Sequence, residues 1–89
     1  MKGKSVSFMK DKRQTAKDMT LMLLYLLSWE EKAAGTSHQR AWKGYDFGLL
    51  NELEEEGLIY GSHKAKSVAI DVSGITKAKK LLQEYGIAN

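Results

Sequence analysis

The fold is decided by residues 46–74, DFGLLNELEEEGLIYGSHKAKSVAIDVSG. Asp46 is a good helix N-cap, because its carboxylate can accept hydrogen bonds from the free amides of a first helical turn. Apolar residues then recur at the three-residue spacing of one helical face, at Phe47, Leu50 and Leu53. Gly57 is typical of a helix end, where a left-handed residue reverses the chain. These signals predict a helix of about eleven residues that ends at Gly57.

A strand hairpin and a last helix are predicted next. Residues 58–60, LIY, form a short apolar run, the turn residues GSHK follow, and residues 66–72 alternate in polarity. The alternating apolar residues on one face are Val68, Ile70 and Val72. Asp71 or Ser73 can cap the final helix, and Gly86 can end it. The apolar face of that helix is formed by Ile75, Ala78, Leu81, Leu82 and Tyr85.

The most apolar run of the chain is residues 19–29, the first part of the segment 19–35, MTLMLLYLLSWEEKAAG. It has no helix breaker before Gly35, and its length favours one helix that begins near Thr15 or Asp18. Between residues 21 and 27 apolar side chains occupy every angle of the helical wheel, so this helix should be buried on more than one side. A chain of 89 residues can hardly cover such a helix alone. We therefore predict a homodimer through the first and last helices, with Leu21, Leu24, Tyr25, Leu82 and Tyr85 at its interface.

The net charge of +3 is unevenly distributed. Residues 1–17 carry six basic side chains and one acidic one, whereas the rest of the chain is slightly acidic. Residues 1–14 are rich in Lys, Ser and Gly, which predicts a mobile basic arm ahead of one domain at residues 15–89. There is no cysteine, in agreement with a reducing compartment, and no apolar run approaches the ~20 residues of a membrane span. A cytoplasmic location and no membrane partner are expected.

A longer set of residues matches a pattern known from other proteins. The set comprises Leu50, Leu53, Glu54, Glu55, Gly57, Leu58, Ile59, Lys66, Ser67, Val68, Ile70, Gly74, Ala78 and Leu82. With LLYL at 23–26 and AWKGYDF at 41–47, it resembles winged-helix regulators, and it is similar to a family of small bacterial winged-helix-like domains sometimes loosely described as transposase-associated. The resemblance covers residues 18–86 and implies an α+β, mainly helical winged helix with about three helices and a two-stranded wing hairpin. Residues 36–45, TSHQRAWKGY, are interpreted as a loop or a short helical turn, so the helix-turn-helix is expected to be truncated.

The resemblance also directs attention to nucleic acid. In a DNA-binding winged helix the helix after Asp46 would enter the major groove and the hairpin would lie near phosphates. Asn51 on its outer side can read adenine, whereas the glutamates of the same helix would repel the phosphate backbone. The candidate nucleic-acid contacts are Arg40, Lys43, Asn51, Lys64 and Lys66. They predict double-stranded DNA as a partner; alternatively, the lysines serve solubility and the acidic helix docks a protein.

No catalytic, cofactor or metal site is predicted. His38 and His63 have no neighbouring His or Cys at ligand spacing, and Ser37 beside His38 does not become a nucleophile by adjacency alone. Trp42 could stack bases together with Tyr45, but a buried lid on the first helix is favoured because Trp is usually highly buried. The expected function is a noncatalytic DNA-binding domain or part of a DNA-handling or transcription-regulatory system. The alternative is a protein-interaction or dimerisation module.

Overall fold

The computed structural model describes residues 11–61 and 64–87, so residues 1–10 of the predicted arm lie outside the described part. The described residues form three helices and four strands that make one antiparallel sheet. In chain order the elements are α1 (Lys12–Leu26), β1 (Trp29–Ala33), β2 (Thr36–Trp42), α2 (Phe47–Glu55), β3 (Ile59–Tyr60), β4 (Ser67–Ile70) and α3 (Val72–Glu84). The α+β class is therefore confirmed. No helix in these ranges combines the length and the apolar character needed to cross a membrane.

The predicted second helix, hairpin and last helix are present, but the second strand of the hairpin ends at Ile70, and Val72, predicted on its apolar face, begins α3 and is 76% exposed. α2 begins after Asp46, whose carboxylate accepts a hydrogen bond from the amide of Leu49 at 3.0 Å. Gly57 then reverses the chain with a φ of 77°, which brings β3 directly into the sheet. Asp71 caps α3 and accepts from the amide of Ser73 at 3.0 Å. Each of these features depends on residues close together in the chain, which is why local signals locate them.

The first helix begins earlier than predicted. Asp11 is its N-cap and accepts from the amide of Gln14 at 2.7 Å, so the helix starts at Lys12 rather than near Thr15 or Asp18. Asp18 is buried inside the helix and accepts from the side-chain amide of Gln14 at 2.9 Å. The predicted start was wrong because Asp11 is an N-cap residue type just as Thr15 and Asp18 are. Asp11 lies in the segment that was predicted to be the mobile arm, but its carboxylate is the one that accepts from the first turn of the helix.

Residues 27–42 form a β-hairpin where the end of a helix and a loop were predicted. α1 ends at Leu26, and β1 pairs with β2 in antiparallel register. The two loop residues, Ala34 and Gly35, have φ values of 52° and 81°, the left-handed values of a tight hairpin turn. Both the helix to Gly35 and the loop over residues 36–45 were wrong. The reason is that β2 lies between β1 and β4, a pairing between distant parts of the chain that local periodicity does not reveal.

The sheet has the strand order β1-β2-β4-β3 and carries the core on one face. β2 and β4 pair from Gln39↔Ile70 to Trp42↔Ser67, and alternation along the strands directs every second side chain to the helices. The strand residues in the core cluster are Ala41, Ile59, Val68 and Ile70. The largest fully buried side chains come from all three helices: Leu21, Leu24, Leu53 and Leu82. The opposite face of the sheet therefore points away from the helical layer.

Gly74 of α3 packs directly on the backbone of Leu58, the residue before β3, and replacing it tests this packing. A Cβ at this position would lie 2.1 Å from the carbonyl oxygen of Leu58, which also accepts the amide of Asp71 at 2.9 Å. Since backbone cannot yield as a flexible side chain does, we expect Gly74→Ala to lower the free energy of unfolding by about 2 kcal/mol or more. Urea denaturation followed by circular dichroism measures this loss.

Gly44→Ala is the matched control for that substitution. A Cβ at Gly44 meets nothing within 4 Å, and its φ is not in the left-handed region. Its unfolding free energy should stay within about 0.5 kcal/mol of the parent. Equal midpoints for Gly74→Ala and Gly44→Ala would contradict the close packing of α3 on the start of β3.

Candidate nucleic-acid interface

Two lysines lie opposite each other where the β2–β4 ladder ends. The amide of Lys43 donates to the carbonyl of Lys66 at 2.9 Å, which extends the ladder one pair beyond Trp42↔Ser67. Both lysines line a shallow cleft of about 380 Å³, together with Trp42 and Phe47, which are 64% and 72% exposed. We call the residues of this cleft, Trp42, Lys43, Gly44, Phe47, Ala65 and Lys66, the lysine cleft. It combines paired cations with exposed aromatic rings on a backbone frame held by hydrogen bonds.

A second cleft, of about 340 Å³, adjoins the first between α2 and the β3–β4 hairpin. Lys43 and Phe47 line both clefts, and Asn51 and Glu54 of α2 line the second. Of the predicted nucleic-acid contacts, the structure thus brings Lys43, Asn51 and Lys66 together. Lys64 is exposed in the turn between β3 and β4, two residues before Lys66.

Arg40, the remaining predicted contact, lies on the opposite face of the sheet. Its guanidinium donates to the hydroxyl of Ser67 at 2.9 and 3.0 Å and to the Ser67 carbonyl at 3.2 Å. It also forms an ion pair with Glu31 at 3.3 Å. The structure therefore separates Arg40 from Lys43, although only two residues lie between them in sequence, because side chains alternate along β2.

Two of the four glutamates at residues 52–56, Glu52 of α2 and its C-cap Glu56, form ion pairs with α1. Glu52 forms ion pairs with Arg13 at 2.6 Å and Lys17 at 3.3 Å, and Glu56 contacts Lys17 as well. The Lys17 side chain is only 11% exposed. The hydrogen bond from Arg13, followed by that from Lys17, holds the pKa of Glu52 below its usual value. The hydrogen bond to Glu56 raises the pKa of Lys17 against the opposing effect of burial.

These contacts change the electrostatic character that the sequence suggested for α2. Four glutamates were expected to form one solvated acidic face, but the charges of Glu52 and Glu56 are balanced by cations of α1. Glu54 and Glu55 are exposed and form no ion pair with another described residue. The acidic side of α2 therefore repels an approaching phosphate less than its sequence indicates.

Trp42 is exposed, so its expected role as a buried lid on the first helix is wrong. Its ring packs on that of Trp29, with the centroids 4.9 Å apart and the planes at 44°. Tyr45 packs partly buried against the core, so it does not form a platform with Trp42. The signal that sequence reasoning missed is the alternation in β1 and β2, which places both tryptophans on the face of the sheet away from the helices.

The predicted dimer residues are largely inside the chain. Leu21, Leu24 and Leu82 are fully buried, and Tyr25 and Tyr85 pack at the edge of the core. Of the predicted set, only Tyr25 and Tyr85 are partly exposed in this conformation, so a contact with a second copy needs further side chains. The exposed residues of α1 beyond Arg13 are all apolar: Ala16, Met19, Leu23 and Leu26.

Potential metal-ligating side chains do not converge in the described part of the chain. No group of three or more His, Cys, Asp or Glu side chains there can hold a metal ion, and His63 lies outside that part. Ser37 donates to Glu30, whereas the ring of His38 contacts the hydroxyls of Thr36 and Tyr60, each at 3.2 Å. The neighbours Ser37 and His38 thus do not form a nucleophile and base.

Comparison with known proteins assigns a family but no activity. The family model of a domain of unknown function, DUF6429, matches residues 11–88. No curated protein and no solved structure matches the chain. The match spans all seven helices and strands described above.

The ion pairs between α1 and α2 predict a pH-dependent stability. Because the folded pKa of Glu52 is lowered, its contribution is complete above the carboxylate's ordinary pKa and is lost as the pH falls through the folded value. We expect Lys17→Met to lower the unfolding free energy by about 1 kcal/mol at pH 7 and by clearly less at about pH 4. Urea titrations at both pH values measure the difference.

Lys79→Met is the matched control, since Lys79 is an exposed lysine of α3. It should leave the stability nearly unchanged at both pH values. An equal loss for Lys17→Met at pH 7 and about pH 4 would attribute its effect to packing of the lysine stem instead of its charge.

Proposed function

The chain belongs to the DUF6429 family, and we propose that it is a noncatalytic DNA-binding domain whose lysine cleft contacts the phosphates of double-stranded DNA. The observation that carries the proposal is the pairing of Lys43 with Lys66 across the end of the β2–β4 ladder. Such a pair presents two cations whose backbone positions are already ordered, so little backbone entropy is lost on binding. The domain would serve a DNA-handling or transcription-regulatory system.

The surroundings of the lysine cleft favour an anionic partner. Lys64 adds a further cation in the neighbouring turn, and Asn51 lies in the adjoining cleft, where it can donate to a base edge or a phosphate oxygen. Glu54 lines that cleft too and opposes the approach of phosphate. The ion pairs of Glu52 and Glu56 with α1 keep the remaining repulsion small. We therefore expect the domain to contact two or three phosphates, through Lys43, Lys66 and Lys64.

Charge removal at the lysine cleft tests this proposal. We expect the double substitution Lys43→Gln, Lys66→Gln to weaken binding to a mixed-sequence duplex about tenfold or more at low salt. Each lost phosphate contact should also reduce the slope of log affinity against log salt by about 0.9, or about 2 for the pair. Fluorescence anisotropy between about 50 and 200 mM salt measures both quantities.

Lys79→Gln, Lys80→Gln is the matched control, because it removes the same charge from exposed lysines of α3 outside the two clefts. The duplex affinity of this control variant, and the slope of its log affinity against log salt, should stay close to those of the parent. Equal losses in both double variants would contradict a localised site. A chain that starts at Asp11, the N-cap of α1, shows whether binding persists without the basic arm.

A second proposal concerns self-association, and the apolar surface of α1 favours it. Met19, Leu23 and Leu26 are exposed and follow one another at spacings of four and three residues, which places them on one side of the helix. Leu27, the C-cap residue, extends this stripe and is 64% exposed. A solvent-facing helical stripe without a charged residue is typical of a contact with another protein chain. We propose that two copies dock through this stripe, in place of the residues predicted from the sequence.

The dimer proposal predicts a concentration dependence that α1 controls. Analytical ultracentrifugation of the parent over roughly 5–200 µM should show a monomer–dimer equilibrium. Leu23→Gln, Leu26→Gln should shift it to monomer, because two exposed apolar side chains lose their burial in the dimer. Val72→Gln, which alters an exposed apolar residue of α3, should leave the equilibrium unchanged. A parent that stays monomeric throughout would refute the proposal.

A further inference from the structure

The face of the sheet away from the helices carries an ordered set of aromatic and planar side chains. The strand registers align one row across all four strands: Trp29, Arg40, Ala69 and Tyr60. The neighbouring row contains Trp42 and Ser67, and the row on the other side contains Glu31 and His38. We call the side chains Trp29, His38, Arg40, Trp42 and Tyr60 the aromatic face.

We propose that the aromatic face binds single-stranded DNA by stacking unpaired bases on Trp42 and Tyr60, next to the phosphate-binding lysines. This inference rests on the proposed DNA-binding function and adds to it the form of nucleic acid that the second surface recognises. Within a duplex, the neighbouring base pairs stack on both faces of each base. A protein ring can therefore stack only on bases that are unpaired and unstacked. Exposed rings on an open sheet suit that kind of ligand.

The two stacking rings are exposed and held in place. Trp42 is 64% exposed and Tyr60 44% exposed, although side chains of this size are usually well buried. The ring of Trp29 supports that of Trp42 at a centroid distance of 4.9 Å. The hydroxyl of Tyr60 contacts Nδ1 of His38 at 3.2 Å. Rings that are ordered before binding lose little rotamer entropy when a base stacks on them.

Arg40 provides a planar cation next to both ring positions. It shares a row with Tyr60 across β4 and lies two residues from Trp42 along β2, so two strand spacings and one row, roughly 12 Å, separate Trp42 from Tyr60. Ser67 and Glu31 hold the guanidinium by hydrogen bonds and an ion pair. Above the small side chain of Ala69, which is buried, the guanidinium plane can face a base or a phosphate oxygen.

Charge complementarity identifies a nucleic acid rather than a protein as the occupant. Trp42 also lines the lysine cleft, so a base stacked on its ring brings its phosphates beside Lys43 and Lys66. Glu31 on this face is engaged by Arg40. Glu30 and Asp71 line a cleft together with Tyr60 and His38, where they accept hydrogen bonds from Ser37 and Ser73 and oppose phosphate, so the phosphates are expected at the Trp42 end of the face. Aromatic stacking next to paired cations is the arrangement by which proteins bind single strands without reading their sequence.

The experiment compares two ligands with the full chain: a labelled oligo-dT of about 12 nucleotides and a duplex of mixed sequence. Trp29 and Trp42 are the two tryptophans of the chain, so intrinsic fluorescence reports stacking directly. We expect oligo-dT to quench this fluorescence, and Trp42→Ala to weaken oligo-dT binding about tenfold or more. Tyr60→Ala removes a stacking ring that lies outside both clefts, so it should weaken oligo-dT binding while duplex affinity changes less than twofold. Trp42→Tyr should recover most of the oligo-dT affinity because it restores a ring.

The outcomes separate this inference from the proposed function. Suppose that duplex binding depends on Lys43 and Lys66, whereas Trp42→Ala leaves oligo-dT binding unchanged. This result would contradict single-strand binding by the aromatic face and would leave the proposed function standing. Failure of both ligands to bind would overturn both. Circular dichroism of each variant confirms that it is folded, so a loss of binding cannot be attributed to unfolding.

Discussion

The antiparallel pairing of β2 with β4 is the contact on which the rest of the structure depends. It joins the N-terminal hairpin to the C-terminal half of the chain through four residue pairs. A two-stranded hairpin alone is marginally stable in water, and this pairing makes β1 and β2 part of a four-stranded sheet. Its register also directs Ala41 and Val68 to the core, and it sets Lys43 opposite Lys66. A shift by one residue would exchange the two faces and destroy both surfaces.

The helical layer modifies the surface charge as well as forming the core. Lys17 and Arg13 of α1 reach the carboxylates of Glu52 and Glu56, so the two helices are joined by ion pairs beside their apolar contact. The same contact leaves the lysines of the cleft facing fewer negative charges. Packing between α1 and α2 and the electrostatics of the proposed DNA surface are therefore linked by one group of side chains.

The fold leaves two unlike surfaces on one small domain. The lysine cleft and the aromatic face meet at Trp42, so the proposed phosphate contacts and the proposed base stacking would act on one strand at the same time. The exposed apolar stripe of α1 belongs to neither surface. A dimer through that stripe would present two copies of the DNA surface, and linked sites bind one long ligand more tightly than either site alone.

The sequence by itself determined α2, the β3–β4 hairpin and α3, because caps at Asp46 and Asp71 and the turn at Gly57 act within a few residues. It also indicated that Lys43, Asn51 and Lys66 belong near one surface. Only the tertiary structure decided that residues 29–42 are strands, that Arg40 lies on the other face and that Trp42 is exposed. Each of these follows from the pairing of β2 with β4, which joins residues about thirty positions apart. Short-range patterns carry no signal for such a pairing, since its stability comes from packing and hydrogen bonds between distant segments.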